Sequence, residues 1–268
     1  MNLSEFYTNK VFWITGGSQG IGLALAGQIL ANGGKVAISA RNPVKLKLLE
    51  KVFGEYGDAL LIHAGDATDY KDDELMVATI IAHFGKLDGV ITNAGISCYG
   101  ELEKSSMDVA KHVIDTNIYG TMFPIKAAIP ELKKTNGSIL LVSSVAGFSG
   151  LPAYSAYSMS KMSLIALSES LRLELDAYGI FVGIAFPGFT QNHPDKRILN
   201  ARGEEEAVPL RPKKLTTNTE DMATNFLEQI KKRRHSGNYT LMGGFTQFLS
   251  KFFPQIFYLI LKKRYTAS

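Results

Sequence analysis

A serine, a tyrosine and a lysine in the middle of the chain have the types and spacing of a proton-transfer site. Ser144 follows an apolar run, Tyr157 comes thirteen residues later, and Lys161 lies four residues beyond the tyrosine. Residues four apart share one face of a helix, and an ammonium beside a phenol lowers the phenol pKa from about 10. Such a phenol can exchange a proton with a ketone or an alcohol, while Ser144 holds the same oxygen. The alternative interpretation is a surface tyrosine–lysine pair with two capping serines, Ser143 and Ser144.

The glycine-rich stretch at residues 15–22 is a second candidate site, because it directly follows an apolar run. Glycine permits the positive φ of a tight turn and lets the backbone approach a ligand closely. The N–H groups at the start of the next helix would then bind an anion. The candidate contacts are Gly16, Ser18, Gln19, Gly20, Ile21 and Gly22. Because the spacing differs from G-x-G-x-x-G, a tight turn without a ligand stays an alternative.

Strands and helices that would position these residues alternate along the chain. Nearly continuous apolar runs predict strands buried on both faces of a parallel sheet; they lie at 11–14, 36–40, 59–62, 90–92, 139–142 and 181–186, with a last candidate at 239–242. Helical spacing begins near residues 21, 43, 70, 107, 153 and 219. This alternation predicts an α/β fold, a doubly wound parallel sheet in three α/β/α layers. Because the sequence has no internal repeat and no Pro/Ser-rich linker, we predict a single domain.

Composition excludes several classes of protein. The 268 residues are 46% apolar and 20% charged, as in soluble globular proteins. The single cysteine, Cys98, excludes an internal disulfide, and the five histidines lack metal-binding spacing, so we expect no metal. A net charge of +4 without an arginine-rich block argues against a nucleic-acid partner. The polar amino terminus lacks a signal-peptide pattern, so we expect a cytoplasmic protein that is not secreted.

Taken together, the motifs resemble those of the short-chain dehydrogenases/reductases. The matching pieces follow the family's order over residues 10–190: T-G-G-S-Q-G-I-G at 15–22, N-A-G at 93–95, Asn117, Ser144, Y-S-M-S-K at 157–161 and Pro187-Gly188. The resemblance implies a Rossmann-type sheet of seven parallel strands in the order 3-2-1-4-5-6-7. It also implies hydride transfer between a nicotinamide dinucleotide and a carbonyl or hydroxyl group of a small molecule.

The resemblance further implies a role for each matching residue. Tyr157 would be the general acid/base, and Ser144 would orient the substrate oxygen. Lys161 would lower the Tyr157 pKa and hold the nicotinamide ribose, while Asn117 would fix a water of a proton relay. A packing amide inside a helix is the alternative for Asn117. The other implied cofactor contacts are Asp66 at the adenine amino group, Asn93, Ala94 and Gly95 on the adenine side, and Pro187, Gly188 and Thr190 at the nicotinamide end.

Residues 39–42, after the second predicted strand, bear on which nicotinamide cofactor binds. An NAD enzyme is expected to carry an acidic residue there for the ribose hydroxyls, but the sequence reads Ser-Ala-Arg-Asn. Arg41 can pair with a 2′-phosphate, and Ser18 can add a hydroxyl contact. We therefore predict NADP(H) rather than NAD(H), and with it the reductive direction. A solvated arginine at the start of the next helix is the alternative.

Two segments near the carboxyl end depart from the regular pattern. Residues 191–217 have weak periodicity and predict a mobile substrate-binding lobe within a Rossmann domain at 1–244. Residues 245–268 form an apolar extension, in which eleven of the seventeen residues from 245 to 261 are apolar and a basic cluster follows. This composition predicts either peripheral membrane contact through 245–265 or packing against the lobe or another subunit. An apolar segment beside the active site would suit a lipid substrate. In this respect the chain resembles the reductases of long-chain keto-sphingoid bases such as 3-ketodihydrosphingosine, which are family members with apolar carboxyl-terminal segments.

Three classes of function stay open for such a chain. The first is an NADP(H)-dependent carbonyl reductase. The second is a catalytically silent nucleotide-binding scaffold, although such proteins usually lose the catalytic residues that are intact here. The third, an epimerase or dehydratase of nucleotide sugars, uses a similar tyrosine–lysine pair in a chain that is usually longer. The family's habit of pairing through long helices predicts a homodimer or homotetramer.

Overall fold

Strands and helices alternate in the structure as the apolar runs and the helical spacing predict. The computed structural model of the protein describes residues 1–191, 196–208 and 216–266. The strands are β1 (Val11–Thr15), β2 (Lys35–Ala40), β3 (Leu60–Ala64), β4 (Gly89–Thr92), β5 (Ser138–Val142), β6 (Phe181–Phe186), β7 (Arg197–Leu199), β8 (Glu205–Ala207) and β9 (Ser236–Asn238). The helices are α1 (Leu3–Tyr7), α2 (Gly20–Ala31), α3 (Pro43–Val52), α4 (Tyr70–Phe84), α5 (Met107–Ile114), α6 (Gly120–Thr135), α7 (Ser155–Glu174), α8 (Thr219–Lys231), α9 (Leu241–Phe252) and α10 (Pro254–Thr266).

Seven of these strands form one parallel sheet, in the order β3-β2-β1-β4-β5-β6-β9. The strand order reverses between β1 and β4, which is the crevice where doubly wound sheets bind ligands at the carboxyl ends of their strands. Thr15 pairs with Ser39 on one side and with Thr92 on the other, so β1, β2 and β4 end at the same edge. The predicted Rossmann-type fold is confirmed.

Helices cover both faces of the sheet, which explains why the strand sequences are apolar at nearly every position. On one face, Ile14 of β1 packs in a core with Leu25 of α2 and Phe226 of α8. On the other face, Trp13 of β1 packs in a core with Leu164 of α7 and with residues of α4 and α6. Successive residues of β1 therefore face different cores, as the period of a strand requires. The sheet and the helices on its two faces therefore form the predicted three-layer α/β/α architecture.

The last strand lies earlier in the chain than the sequence predicts. The prediction placed it at residues 239–242, but β9 is Ser236–Asn238 and pairs with β6. Residues 241 and 242 instead begin α9, because the Thr240 hydroxyl accepts a hydrogen bond from the Gly243 N–H at 3.0 Å and caps that helix. The apolar residues after Tyr239 therefore belong to a helix, and apolar content alone does not distinguish the two elements.

The helical stretch predicted from residue 107 is two helices joined by a wide turn. After α5, residues Asp115–Tyr119 form a π-helical turn that leads directly into α6. Such turns occur often at functional sites, because they displace one residue from the regular hydrogen-bond ladder. Asn117, a predicted site residue, lies inside this turn.

The lobe predicted at 191–217 contains an antiparallel hairpin in its described part. Strands β7 and β8 pair with Arg197 opposite Ala207, while residues 192–195 and 209–215 lie outside the described residues. Beyond the lobe, the composition change at residue 245 falls inside α9 rather than between elements. In the described part of the chain, no helix is both long enough and apolar enough to cross a membrane.

Candidate active site

The glycine loop turns sharply between β1 and α2 at the reversal point of the sheet. Gly16 has a φ of +64°, a conformation that L side chains rarely adopt, and a Cβ there would lie 2.8 Å from the Cα of Ala94. Its N–H donates to the carbonyl oxygen of Ser39 at 2.8 Å. The backbone of the loop is thereby held against the ends of two neighbouring strands.

The start of α2 has the form of an anion site. Gln19 occupies the N-cap without a side-chain capping bond, and Gly20, Ile21 and Gly22 form the first turn. A Cβ at Gly22 would lie 2.6 Å from the carbonyl oxygen of Gly16, so the helix packs tightly on the loop. Uncapped N–H groups at a glycine turn fit the pyrophosphate of a dinucleotide. Ser18 lies in the same loop, half-buried.

The N-A-G stretch after β4 is hydrogen-bonded to the glycine loop. The Asn93 side-chain amide donates to the carbonyl oxygens of Gly16 at 3.0 Å and Thr15 at 3.3 Å. The Ala94 N–H donates to the Thr15 hydroxyl at 3.1 Å. A Cβ at Gly95 would lie 3.2 Å from the Lys161 Nζ, so this stretch also reaches the lysine of the predicted catalytic set. It therefore connects the cofactor loop with the proton-transfer residues.

The side chains predicted at the adenosine end follow β2 and β3. Ala40 and Ala64 pair at the carboxyl ends of these strands, so Arg41 and Asp66 follow adjacent strand ends. Arg41 is exposed. Asp66 Oδ1 accepts hydrogen bonds from the N–H and the hydroxyl of Thr68, both at 2.9 Å. One carboxylate oxygen of Asp66 is thus used to order its own loop.

In addition to Arg41, a second cationic side chain, that of Lys45, contacts the glycine loop. The Lys45 Nζ, on the first turn of α3, donates to the Gln19 side-chain oxygen at 2.7 Å. Lys45 is not among the residues predicted from the sequence. The signal was its place four residues after Arg41, at the start of the helix that follows β2.

Ser144 and Tyr157 meet at the carboxyl end of β5. Ser144 caps the short turn Val145–Gly147, where its Oγ accepts from the Ala146 N–H at 3.2 Å. Its side chain also hydrogen-bonds the Tyr157 hydroxyl. The structure thus brings the predicted serine and tyrosine into direct contact.

The direction of the Tyr157 pKa shift is opposite to the one predicted. Burial raises the pKa of the Tyr157 hydroxyl above its usual value of 10, and the nearby Tyr154 and Cys98 add to that rise. The hydrogen bond from Ser144 acts against it. The prediction counted the charge of Lys161 and left out the loss of hydration, which disfavours a buried phenolate.

Lys161 lies one helical turn beyond Tyr157 and is buried. Its Nζ donates to the carbonyl oxygen of Val142, the last residue of β5, at 3.0 Å. Burial, with a smaller contribution from the positive charge of Lys196, lowers the pKa of Lys161 to about 8. The lysine is therefore a cation near neutral pH that loses its charge in mildly basic solution.

Hydrogen bonds of the Asn117 side chain connect the π-helical turn with the loop after β4. Its Oδ1 accepts from the Ile96 N–H at 2.8 Å, and its Nδ2 donates to the Ile96 carbonyl oxygen and to the Ser160 hydroxyl, both at 2.9 Å. The side chain is fully buried. These contacts match the packing alternative for Asn117, and its role in a water relay stays a prediction.

The residues predicted at the nicotinamide end lie after β6. The Pro187 carbonyl oxygen accepts from the Val145 N–H at 3.3 Å, beside the turn that Ser144 caps. A Cβ at Gly188 would lie 2.7 Å from the Thr240 hydroxyl, just before α9. Thr190 forms an isolated β-bridge with Thr217, so the two ends of the lobe pair with each other. Residues 187–190 therefore connect the turn that Ser144 caps with the lobe at 191–217.

The surroundings of Tyr157 include one cysteine and one further tyrosine. Cys98 is buried in a small apolar cluster against which Tyr157 packs, and burial raises the pKa of its thiol. The Tyr154 ring lies 5.2 Å from the Tyr99 ring. Tyr99 lines a cavity of about 600 Å³ together with Ala153, Arg202 and Tyr265. Tyr99 thus belongs both to the wall of this cavity and to an aromatic pair with Tyr154, which also raises the Tyr157 pKa.

A metal-dependent arrangement does not occur in the described ranges, where no group of three or more His, Cys, Asp or Glu side chains could hold an ion. At the carboxyl end of β5, the groups that can do chemistry include the Ser144 and Tyr157 hydroxyls and the Lys161 amine. Together they can orient an oxygen atom, donate a proton to it and place a positive charge nearby.

Known proteins are similar to this chain in sequence over most of its length. A family described as short chain dehydrogenase matches residues 10–202. The 11-beta-hydroxysteroid dehydrogenase-like 4A of Arabidopsis thaliana is 36% identical over 191 residues, which are 70% of this chain and 64% of that protein. The 3-dehydrosphinganine reductase TSC10B of the same plant is 35% identical over 223 residues, 81% of this chain and 64% of that protein. The chain thus spans less than two thirds of the length of these relatives.

Solved structures with the same fold cover nearly the whole chain. A short-chain dehydrogenase from Streptomyces avermitilis matches with a TM-score of 0.79 at 22% identity, over 96% of this chain and 98% of that one. An alcohol dehydrogenase from Thermococcus sibiricus, complexed with 5-hydroxy-NADP, matches with a TM-score of 0.72 at 24% identity, over 83% of this chain and 90% of that one. At these identities the likeness establishes the fold.

Proposed function

The chain belongs to the short-chain dehydrogenase family, and from that premise we propose that it is an NADP(H)-dependent oxidoreductase that reduces the carbonyl group of an apolar molecule or oxidises the corresponding alcohol. The observation that carries the proposal is the contact between Ser144 and Tyr157 at the carboxyl end of β5, with Lys161 one turn further along α7. That edge of the sheet also holds the glycine loop.

The cofactor would be held by groups along this edge. Backbone N–H groups at the start of α2 would bind the pyrophosphate. Arg41 and Lys45, both near the end of β2, would pair with a 2′-phosphate, which supports NADP(H) over NAD(H). Asp66 and the stretch 93–95 would contact the adenosine half. A bound reduced nicotinamide supplies the hydride that the carbonyl carbon accepts.

The protein's own residues would manage the oxygen of the substrate. Because burial raises the Tyr157 pKa, the hydroxyl holds its proton at neutral pH, as a general acid must. That proton passes to the carbonyl oxygen, giving an alcohol and a phenolate. The Ser144 hydroxyl stabilises charge on either oxygen, and the Lys161 cation offsets the negative charge left on Tyr157.

An apolar, lipid-like ketone is the proposed substrate class. The cavity near the start of α7 has a mixed lining, with Tyr99 and Tyr265 beside charged residues, namely Glu101, Lys104, Arg202 and Glu206. The support for an apolar substrate is that the helix that carries Tyr265 is rich in apolar side chains. The two plant relatives are named for a hydroxysteroid and for 3-dehydrosphinganine. Both names point to apolar molecules with an oxidisable hydroxyl or a reducible ketone, and a long-chain keto lipid is our specific proposal.

Turnover with a panel of ketones tests this function. Purified protein is mixed with NADPH, or with NADH as the matched control, and with a steroid ketone, 3-dehydrosphinganine or a short polar ketone. We expect NADPH oxidation to be faster with the apolar ketones and slower with NADH. A protein that binds NADPH and turns over no ketone or alcohol would instead be the nucleotide-binding scaffold. The homodimer or homotetramer stays a prediction of the sequence analysis.

A further inference from the structure

One side of α9 is an exposed stripe of large apolar side chains. Leu241, Phe245, Phe248 and Phe252 recur at spacings of four, three and four residues, which places them along one side of the helix. Their exposed fractions are 97%, 60%, 51% and 59%. Soluble proteins rarely leave so many large apolar groups side by side in water, so this stripe needs a partner.

The stripe continues onto α10. Phe248 packs against Phe252 and also against Phe253, with ring centroids 5.2 and 5.7 Å apart. Ile256 and Leu259 on α10 are again exposed. We call these exposed apolar side chains of α9 and α10 the docking patch, and it consists of Leu241, Phe245, Phe248, Phe252, Phe253, Ile256 and Leu259.

The segment that carries the docking patch is positively charged. Residues 241–268 contain four lysines and arginines and no acidic residue, so their formal charge of +4 equals that of the entire chain. Lys251, Lys262 and Lys263 are exposed, and the Lys251 Nζ lies 5.6 Å from the centre of the Phe252 ring. The partner of this surface should therefore combine apolar and anionic groups.

We propose that the docking patch inserts into the interface of a lipid bilayer that contains anionic headgroups. The apolar side chains would enter the boundary of the acyl chains, and the lysines would contact the headgroups. A thirteen-residue helix such as α10 is about 20 Å long, whereas the hydrocarbon core is about 30 Å thick. The two helices would accordingly lie in the plane of the interface.

A second copy of the chain fits this surface less well. Two docking patches brought together would place Lys251, Lys262 and Lys263 of each copy near the same lysines of the other. No carboxylate from residues 241–268 could offset them, and like charges in an interface oppose association. An anionic bilayer supplies both the apolar medium and the opposite charge.

Docking through these helices would place the candidate active site near the lipid. The cap of α9, Thr240, contacts the Gly188 position beside the catalytic turn, and Tyr265 of α10 hydrogen-bonds Glu101 at the rim of the cavity. A lipid ketone could thus reach the cavity from the interface. This last step rests on the proposed function, whereas the docking itself does not.

Vesicle co-sedimentation tests the docking with the full chain. The vesicles are phosphatidylcholine alone or phosphatidylcholine with phosphatidylglycerol, at low and high salt. We expect binding to the anionic vesicles, with weaker binding at high salt. Phe248→Ser combined with Phe252→Ser should reduce it at least tenfold, whereas Val44→Ser combined with Leu48→Ser, which removes exposed apolar groups from α3, should leave it unchanged.

Charge variants provide a second, independent measurement. Lys262→Gln with Lys263→Gln should weaken binding to anionic vesicles by about fivefold per residue, and Lys71→Gln with Lys111→Gln serves as the control. Failure of the full chain to bind either vesicle overturns the proposal. If in that case the Phe248/Phe252 variant converts a dimer into a monomer in analytical ultracentrifugation, a second copy covers the patch. Turnover of a short soluble ketone, measured on the same proteins, reports on the catalytic proposal separately.

Discussion

The buried Nζ of Lys161 donates a hydrogen bond to the carbonyl oxygen of Val142 at 3.0 Å, which ties α7 to the end of β5. A second bond runs the other way, from the Ser143 hydroxyl to the Lys161 carbonyl oxygen at 2.8 Å. Because Ser143 directly precedes Ser144, these two bonds fix the lysine relative to the serine that contacts Tyr157. The proton-transfer residues are therefore held by two buried hydrogen bonds that each join a side chain to a backbone carbonyl oxygen.

Replacing Lys161 by alanine should lower both turnover and NADPH affinity. The change removes the cation that offsets charge on Tyr157 and the proposed contact to the nicotinamide ribose. NADPH binding is measured by fluorescence titration and turnover by NADPH oxidation, with Lys126→Ala on α6 as the control. An unchanged NADPH affinity would contradict the ribose contact of Lys161.

Arg41→Ala should weaken NADPH binding by about 1.5–3 kcal/mol and leave NADH binding nearly unchanged, because it removes a charge-assisted bond to the 2′-phosphate. Lys45→Ala should act in the same direction with a smaller effect, since the Lys45 Nζ is already bonded to Gln19. Steady-state kinetics with both cofactors measure the two effects. Equal kinetics with NADPH and NADH in the unmutated protein would refute the cofactor assignment.

A buried carboxyl on α4 predicts that stability falls as the pH rises. Burial, with the charges of Asp72, Asp66 and Asp69, raises the pKa of Asp73 from 3.8 to about 8. The folded protein therefore holds one more proton than the unfolded chain between about pH 4 and 8. Its free energy of unfolding should decline across that window, by at most about 1.4 kcal/mol per pH unit.

Asp73→Asn tests this dependence, because an amide needs no proton to be neutral. The variant should melt at a higher temperature than the unmutated protein at pH 8, and the difference should shrink toward pH 5. Glu50→Gln, which alters an exposed carboxyl on α3, is the control. Parallel pH profiles for Asp73→Asn and the unmutated protein would show that Asp73 ionises normally.

The Asn117 amide should contribute to stability independently of any catalytic role. Asn117→Ala leaves the Ile96 N–H and carbonyl without their side-chain partner, and unsatisfied groups of this kind cost about 1–3 kcal/mol each. We expect a loss of about 2–4 kcal/mol in urea denaturation. A water relay would appear as an additional loss of turnover under conditions where the variant is still folded. Unchanged stability would mean that the three hydrogen bonds of Asn117 are not formed.

The sequence was sufficient to predict the local geometry of a motif that consists of nearby residues. The glycine loop, and the spacing from Tyr157 to Lys161, depend on a few adjacent residues whose backbone geometry is nearly fixed by residue type. The Tyr157 pKa was predicted with the wrong sign because burial arises only when α7 packs on the sheet. Cys98 meets Tyr157 through a contact between distant segments, which spacing does not reveal, whereas Tyr154 lies only three residues before Tyr157. The last strand was misplaced because a helix cap at Thr240, a local hydrogen bond, decides where α9 begins.

The central claim is that the Tyr157 hydroxyl is the proton donor, and Tyr157→Phe tests it most directly. The substitution deletes one oxygen and keeps the ring, so the packing around Cys98 and the NADPH affinity should be preserved. Turnover of the best ketone should fall by about 10²–10⁴-fold, the usual contribution of a general acid. NADPH titration and single-turnover kinetics on the same preparation give both numbers. A variant that binds NADPH normally and retains more than about a tenth of the activity would contradict the assignment.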